Sequence, residues 1–423
     1  MRVMKDSGIT WINEIPTHWA IGRIGGLYSL RNQKVSDKDY EPLSVTMKGV
    51  LPQLETAAKT NDGDNRKLVR KGDFAINSRS DRRGSCGIAD RDGSVSLINT
   101  ILKPRNQMNA RYYNWLFHTP MFADEFYKWG HGIVDDLWST NWEEMKKIQI
   151  PIPALDEQQR IAEFLDRECG KIDGLKADIQ AQIDTLEQYK RSVITEAVTH
   201  GLNPSALMKD SGIPWVDEVP QKWDIRTVKY IAICLKKGNG ITKEDIVEDG
   251  DTLCIRYGEI YTKYNLSFFE CATRTNKERI SSKQYFTQGD ILFAGTGELI
   301  EEIGKNIVYL GTGDCLAGGD IIILKHKQNA RYLNYALNSE CVQAQKSCNK
   351  AKLKVVHISA FEIGNIKIAL PPLDEQQEIA DYLDNKCTEI EQIIADKKSQ
   401  IETLDGYKKS LIYEHVTGKK EVV

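Results

Sequence analysis

Two stretches of this 423-residue chain carry apolar residues in steps of three and four. The first has Ile161, Leu165, Ile172, Leu175, Ile179, Ile183, Leu186 and Val193. The second has Ile379, Leu383, Ile390, Ile393, Ile401, Leu404 and Leu411, with Lys397 interrupting where Ile179 stands in the first. Such spacing predicts amphipathic, heptad-like helices. Prolines at 151 and 153, and at 371 and 372, close a short extended run ahead of each stretch. Asp156 or Asp374 then falls where an N-cap belongs, and Gln159 or Gln377 follows three residues on, a capping-box pattern. The helices are expected to run to Thr199 and Thr417, the first stopped by Gly201 and Pro204. At 1.5 Å per residue each spans about 65 Å. Stripes this narrow on helices this long find little globular surface to cover them. They are therefore expected to pack on each other, and a whole domain between them returns the chain, which makes the pair an antiparallel coiled coil. The plainer alternative is that each stripe packs only on its own domain.

The blocks between, 20–150 and 224–369, show strand-like and helix-like patterns in one shared order. Lys71-Gly72-Asp73-Phe74-Ala75-Ile76 reads as a turn into a strand, Ser94 to Leu102 as a strand stopped by Pro104, and Ala110 to His118 as a helix. Gln288-Gly289-Asp290-Ile291-Leu292-Phe293, Asp320 to Leu324 and Ala330 to Leu337 repeat the series. Some matches are letter by letter. Asn109-Ala110-Arg111-Tyr112 returns as Asn329-Ala330-Arg331-Tyr332, and the segment Met4 to Pro16 returns 204 positions later as Met208 to Pro220. Leu155-Asp156-Glu157-Gln158-Gln159-Arg160-Ile161-Ala162 returns 218 positions later as Leu373-Asp374-Glu375-Gln376-Gln377-Glu378-Ile379-Ala380. A period near 200 is too long for a solenoid and marks duplication of a domain with its helix. The expected fold is α+β. Two mixed α/β domains (1–155 and 201–373) alternate with two long helices (156–200 and 374–423) in a circular, pseudo-twofold repeat that brings Met4 near Gly418.

Composition is ordinary for a globular chain, 41% hydrophobic and 28% charged. No apolar run reaches the 18 or so residues of a membrane span, and the opening residues lack a secretory pattern. Nine cysteines include no Cys-x-x-Cys pair, which suits a reducing compartment. A cytoplasmic location is expected. The net charge of −3 hides a division, the two blocks being mildly basic and the two helical stretches acidic. That polarity permits nucleic-acid contact by the blocks.

The loops after the Gly-Asp strands differ most between copies. Arg79, Ser80, Arg82 and Arg83 sit in the first, where arginine forks and small hydroxyls match what base edges and phosphates call for. Thr296 sits in the second, among glycines and ahead of Glu298, Glu301 and Glu302. The second copy also offers a basic run from Lys346 that includes Lys352 and Lys354. All seven are candidates for DNA contact, against the plain reading of solvated surface. Trp11, Trp19, Trp215 and Trp223 occur in both copies and are expected to be packing anchors, not stacking platforms. Phe293-Ala294-Gly295-Thr296-Gly297 resembles a methyltransferase cofactor loop, but two glycines after a strand are a weak signal. No phosphate loop, zinc-protease motif or nucleophile elbow is present in the sequence, and the seven histidines have no metal spacing. No bond-making chemistry is expected of this chain.

In the order of these paired motifs the whole chain resembles the DNA specificity subunit of Type I restriction-modification systems. The residues that carry the resemblance are Ser7 to Trp19 with Ser211 to Trp223, and Pro153 to Ala162 with Pro371 to Ala380, each leading to Leu-Asp at 165–166 and 383–384. The resemblance implies that the blocks are target-recognition domains, each reading one half of a split double-stranded DNA site. It implies that the helices set the spacing and dock two modification subunits, with restriction subunits joining. S-adenosylmethionine, ATP and Mg would be held by those partners and no cofactor or metal by this chain. Because the two reading loops differ, the site is expected to be asymmetric. The competing readings are an autonomous S-adenosylmethionine-dependent DNA methyltransferase and a structural adaptor without DNA specificity.

Overall fold

The computed structural model describes residues 2–53, 62–105, 108–132, 138–213, 215–348, 350 and 355–422. Two compact units emerge, Met1–Gln180 with Lys398–Val423, and Ala181–Lys397. Each long helix, Leu155–His200 and Leu373–Val416, contributes one half to each unit.

The first unit centres on an antiparallel sheet in the order Cys86–Ile88, Phe74–Asn77, Asn99–Pro104, Tyr28–Arg31. Phe74–Asn77 is buried throughout because strands flank both its edges and helices cover its face. The strand expected from Ser94 to Leu102 is two strands, Gly93–Val95 and Asn99–Pro104, because a turn with Asn99 N–H donating to Ser96 O (3.1 Å) intervenes. Pro104 ends the second strand opposite Tyr28 and does not stop it earlier. The second unit repeats the sheet as Ala232–Lys237, Ile321–His326, Ile291–Ala294, Asn306–Tyr309, and adds Ser267–Phe268 in parallel at its edge.

The repeated letters are the parts that lock each domain to a long helix. In the first unit the helix Ala110–Phe117 is capped by Asn109, whose N–H donates to Gln158 Oε1 (2.9 Å) and whose side-chain amide donates to Gln159 Oε1. Arg111 donates to Asp166 Oδ2 (2.8 Å) and Trp115 Nε1 to Asp166 Oδ1 (2.8 Å). The second unit does the same. Asn329 donates to Gln376 Oε1 (3.0 Å) and Gln377 Oε1 (2.7 Å), Arg331 engages Asp381 and Asp384, and Tyr335 OH donates to Asp384 (2.8 Å). The capping-box expectation is thereby corrected. The long helices begin at Leu155 and Leu373, ahead of Asp156 and Asp374. Gln159 and Gln377 spend their carbonyls on the side-chain amides of Asn109 and Asn329, while Gln158 and Gln376 take the backbone N–H that the short helix leaves unpaired at its start.

Within each unit the helix halves run antiparallel. In the first, Lys176 meets Asp405 (2.5 Å) and Asp173 meets Lys408 (2.6 Å); in the second, Gln182 meets Lys397 (2.5 Å) and Lys190 pairs with Glu391. The seam is one step off the expected stripe in places. Leu175 and Ile393 are 53% and 39% exposed, while Ile394 is 8% exposed and Lys176 takes the seam position beside Leu175.

Each helix ends in a left-handed glycine against the buried tryptophan of its unit. Gly201 (φ 77°) and Gly418 (φ 72°) leave Cβ positions 3.1 Å from Trp223 Cζ2 and 2.9 Å from Trp19 Cη2. Pro16, 2.5 Å from that position at Gly418, pairs with Met4, so the two ends of the chain meet as expected. Trp19 and Trp223 are the anchors, each 1% exposed. Trp215, at 45%, is not one, since it lies in the tight turn between two strands of the hairpin. Trp11 is half-buried with its ring edge-on to Phe122.

Alanine at Gly201 or Gly418 should cost about 1–2 kcal/mol for the left-handed backbone. At Gly418 the closer Pro16 and Trp19 atoms add a clash, so Gly418→Ala should lower the melting temperature of the full chain more than Gly201→Ala does. Equal melting curves for the two variants would contradict this packing.

Candidate nucleic-acid interface

The loop after Phe74–Asn77 puts the first-copy candidates at one edge of the sheet. Arg79 is half-buried and lines a cavity of about 420 Å3 with Asn32, Lys67, Ile98 and Asn141. Ser80 opens a short 3-10 turn, and its N–H donates to Trp138 O (3.0 Å). Arg82 points outward, its side chain 67% exposed beside Asp81 (3.6 Å). Arg83 pairs with Asp124 and lies 5.8 Å over the Tyr127 ring. Tyr127 OH in turn donates to Asn77 O (3.2 Å), which ties the loop to the helix Pro120–Lys128. Arg79 therefore faces the cavity, Arg82 faces solvent, and Arg83 is already engaged.

Thr296 stands where Arg79 stands. Thr140 N–H donates to Ser78 O (3.0 Å) in the first unit, as Ile358 N–H donates to Gly295 O (2.9 Å) in the second. Thr296 is buried, its hydroxyl 3.1 Å from His357 Nδ1. Tyr261, from the helix Tyr257–Thr262, covers the adjoining Gly297, whose Cβ position would lie 2.9 Å from the Tyr261 hydroxyl. Gly295 donates to Asp320 O (2.7 Å), so of the two glycines of the cofactor-like loop Gly295 answers close packing of backbone and Gly297 close packing of the Tyr261 ring.

Lys352 and Lys354 lie outside the described residues. The basic run they belong to begins at Lys346, which closes the helix Glu340–Ser347. Lys346 is buried and donates to Gly304 O (2.8 Å), Asn306 Oδ1 (2.8 Å) and Leu337 O (2.7 Å). Burial pushes its pKa down to about 7. This lysine ties three backbone segments together and is not part of a surface track.

Sequence reasoning missed the larger opening in the second unit, a cavity of about 830 Å3. It lies between the segment at Lys237-Gly238-Asn239-Gly240, the segment at Arg256-Tyr257-Gly258 and the turn Gly318-Gly319-Asp320. Its frame matches that of the first-unit cavity. Arg31 opposes Ile101 as Lys236 opposes Ile323, so the residues that follow, Asn32 and Lys237, hold equivalent places and line the two cavities. Leu97–Ile98 and Gly318–Gly319 likewise precede the equivalent strands Asn99–Pro104 and Ile321–His326. The signal was in the sequence only as scattered glycines beside basic residues. Among the described residues no group of His, Cys, Asp and Glu is placed to hold a metal ion, and no helix is long and apolar enough to cross a membrane.

Comparison with known proteins agrees with this duplicated architecture. The chain is 23% identical to the Type I restriction enzyme MjaVIII specificity subunit of Methanocaldococcus jannaschii, over 96% of this chain and 94% of that one. It is 27% identical to the putative type I restriction enzyme MjaX specificity subunit of the same organism, over 67% of this chain and 62% of that one. A chain from a structure concerning complex assembly and conformational transition of the type I R-M system shares the fold. It has a TM-score of 0.71 at 15% identity, covering 96% of this chain and 99% of that one. Residues 16–185 and 220–403, one stretch per copy, match the family described as Type I restriction modification DNA specificity domain, and the chain belongs to that family.

Proposed function

We propose that this chain selects the DNA sequence on which a Type I restriction-modification complex acts, each unit reading one half of a split site. The observation that carries the reading is a pair of cavities that open beside the same two strand ends of the duplicated sheet. The same strand ends frame both, while the lining changes from Asn32, Lys67 and Arg79 to glycine backbone with Arg256 and lysines. A constant frame around unlike polar surfaces suits two half-sites of unlike sequence, since direct readout depends on which donors and acceptors meet the base edges. The target is accordingly asymmetric, and the long helices set the spacer, because readers must meet grooves that recur about every 10 base pairs. In this reading the chain makes and breaks no bonds. Two modification subunits bring S-adenosylmethionine to adenine, and restriction subunits bring ATP and Mg.

Purified alone, the chain should show no S-adenosylmethionine binding by calorimetry; one-to-one binding would favour an autonomous methyltransferase. Methylome sequencing of the source cells with and without the gene should lose one split, asymmetric methylated motif. A palindromic motif would remove the asymmetry, and retention of random duplexes by the complex as well as of the target would favour an adaptor. Arg79→Ala should cost about 1–3 kcal/mol at one position of one half-site. Arg83→Ala should cost less, its guanidinium already being paired. Unchanged binding by the Arg79→Ala, Arg82→Ala and Arg83→Ala variants would mean that this loop reads nothing.

A further inference from the structure

The second-unit cavity contains a group that the fold leaves unsatisfied. Arg256 Nε is buried and has no hydrogen-bond partner. The nearby buried carboxylate of Glu259 is fully used elsewhere. It accepts from Arg256 backbone N–H (2.9 Å), Thr273 Oγ1 (2.9 Å) and Lys263 Nζ (2.8 Å). A buried donor without an acceptor is costly, and because Arg256 lines an open cavity its guanidinium gains a partner if it turns toward an acceptor that enters.

Part of the cavity wall is backbone at close approach. A Cβ at Gly238 would lie 2.2 Å from Gly318 O, one at Gly319 would lie 3.2 Å from Gly240 Cα, and one at Gly318 would lie 3.4 Å from Arg256 Cα. Around this backbone Lys243 is exposed, Lys237 and Lys263 are exposed and paired with Asp320 (3.0 Å) and Glu259 (2.8 Å), and Arg256 is half-buried. Exposed ammonium groups suit phosphates, which position a duplex. A half-buried planar fork suits the paired acceptors O6 and N7 of guanine in the major groove.

We propose that Arg256 reads a guanine in the half-site bound by the second unit, with the exposed lysines around it on the flanking phosphates. This rests on the reading of the chain as a DNA specificity subunit.

The test uses the full chain assembled with its modification subunits and a panel of duplexes in which each position of the methylated motif is changed in turn. Arg256→Ala should weaken binding to the unaltered target roughly 10- to 100-fold and abolish the preference for guanine at one position. That position should fall in the half-site that Arg79→Ala leaves alone. Arg256→Lys, which keeps the charge and loses the fork, should recover part of the affinity without the preference. Uniform weakening on every duplex with the preference intact would make Arg256 a phosphate contact and overturn the proposal. Unchanged binding, or relaxation in the other half-site, would also overturn it. Should Arg256→Ala fail to fold, the Arg256→Lys profile decides alone. A wild-type complex with no sequence preference would instead sink the DNA-specificity reading itself, an outcome separate from any of these.

Discussion

The fold depends on a docking contact that each unit makes once, between the opening turns of a long helix and the start of a short one. Gln158 shows how tightly the letters are used. Its carbonyl takes the Asn109 amide while its own amide donates to Pro153 O (2.8 Å), and Gln376 repeats this with Asn329 and Pro371 (2.8 Å). Asp166 and Asp384 collect an arginine each, and Glu157 takes the indole N–H of Trp19 (2.8 Å). A buried bond to a charged group, such as Trp19 to Glu157, contributes about 1.5–3 kcal/mol, while part-exposed arginine pairs contribute about 0–1 kcal/mol. Each residue in the contact therefore constrains the others. A copy of the domain that kept the scaffold had to keep these letters, whereas the loops at the far edge of the sheet are held by contacts that differ between copies, Arg83 on Asp124 in one and Thr296 on His357 in the other.

The same logic separates what was legible in the chain from what was not. The helices, their antiparallel pairing and the duplicated order show in periodicity and in repeated letters. The stripe was misread by one step at Ile393 because Ile394 beside it is equally apolar, and at Leu175 because seam positions need not be apolar. Lys176 lays its alkyl stem along the seam and its ammonium on Asp405, so a hydropathy count passes over it. The glutamines at 159 and 377 fit a capping box and also fit a tertiary bond, and local spacing cannot distinguish the two. The offset of 217 between Gly72-Asp73 and Gly289-Asp290 carries Arg79 onto Thr296, but spacing could not reveal the ladder partner of each, Ser139 and His357, some 60 positions on.

The second-unit cavity was illegible for a related reason. Gly238, Arg256 and Gly318 are spread over about 80 residues, and no window of the sequence holds more than one wall. The glycines there look like loop punctuation until their neighbours are known. In place they let three backbones abut, which fixes the cavity's walls while leaving the chemistry to the few side chains beside them.

The helix seam adds a constraint of its own. The offset of 218 that separates the repeated helix openings carries Asp173 to Glu391 and Lys190 to Lys408, so the ion pairs Asp173–Lys408 and Lys190–Glu391 are one contact used twice. Each is half-exposed, and exposed pairs contribute about 0–1 kcal/mol, too little to hold two helices together. Their effect is on alignment, since a slip of either helix would separate both pairs and leave lysines in the seam without carboxylates. The pair Lys176–Asp405 has no such counterpart, because the offset places Ile394 and Glu187 at those positions. The duplicated helices are thus alike at one contact and different at the next. They have kept one ion pair in both units and replaced the other by Ile394 and Glu187 at the offset positions.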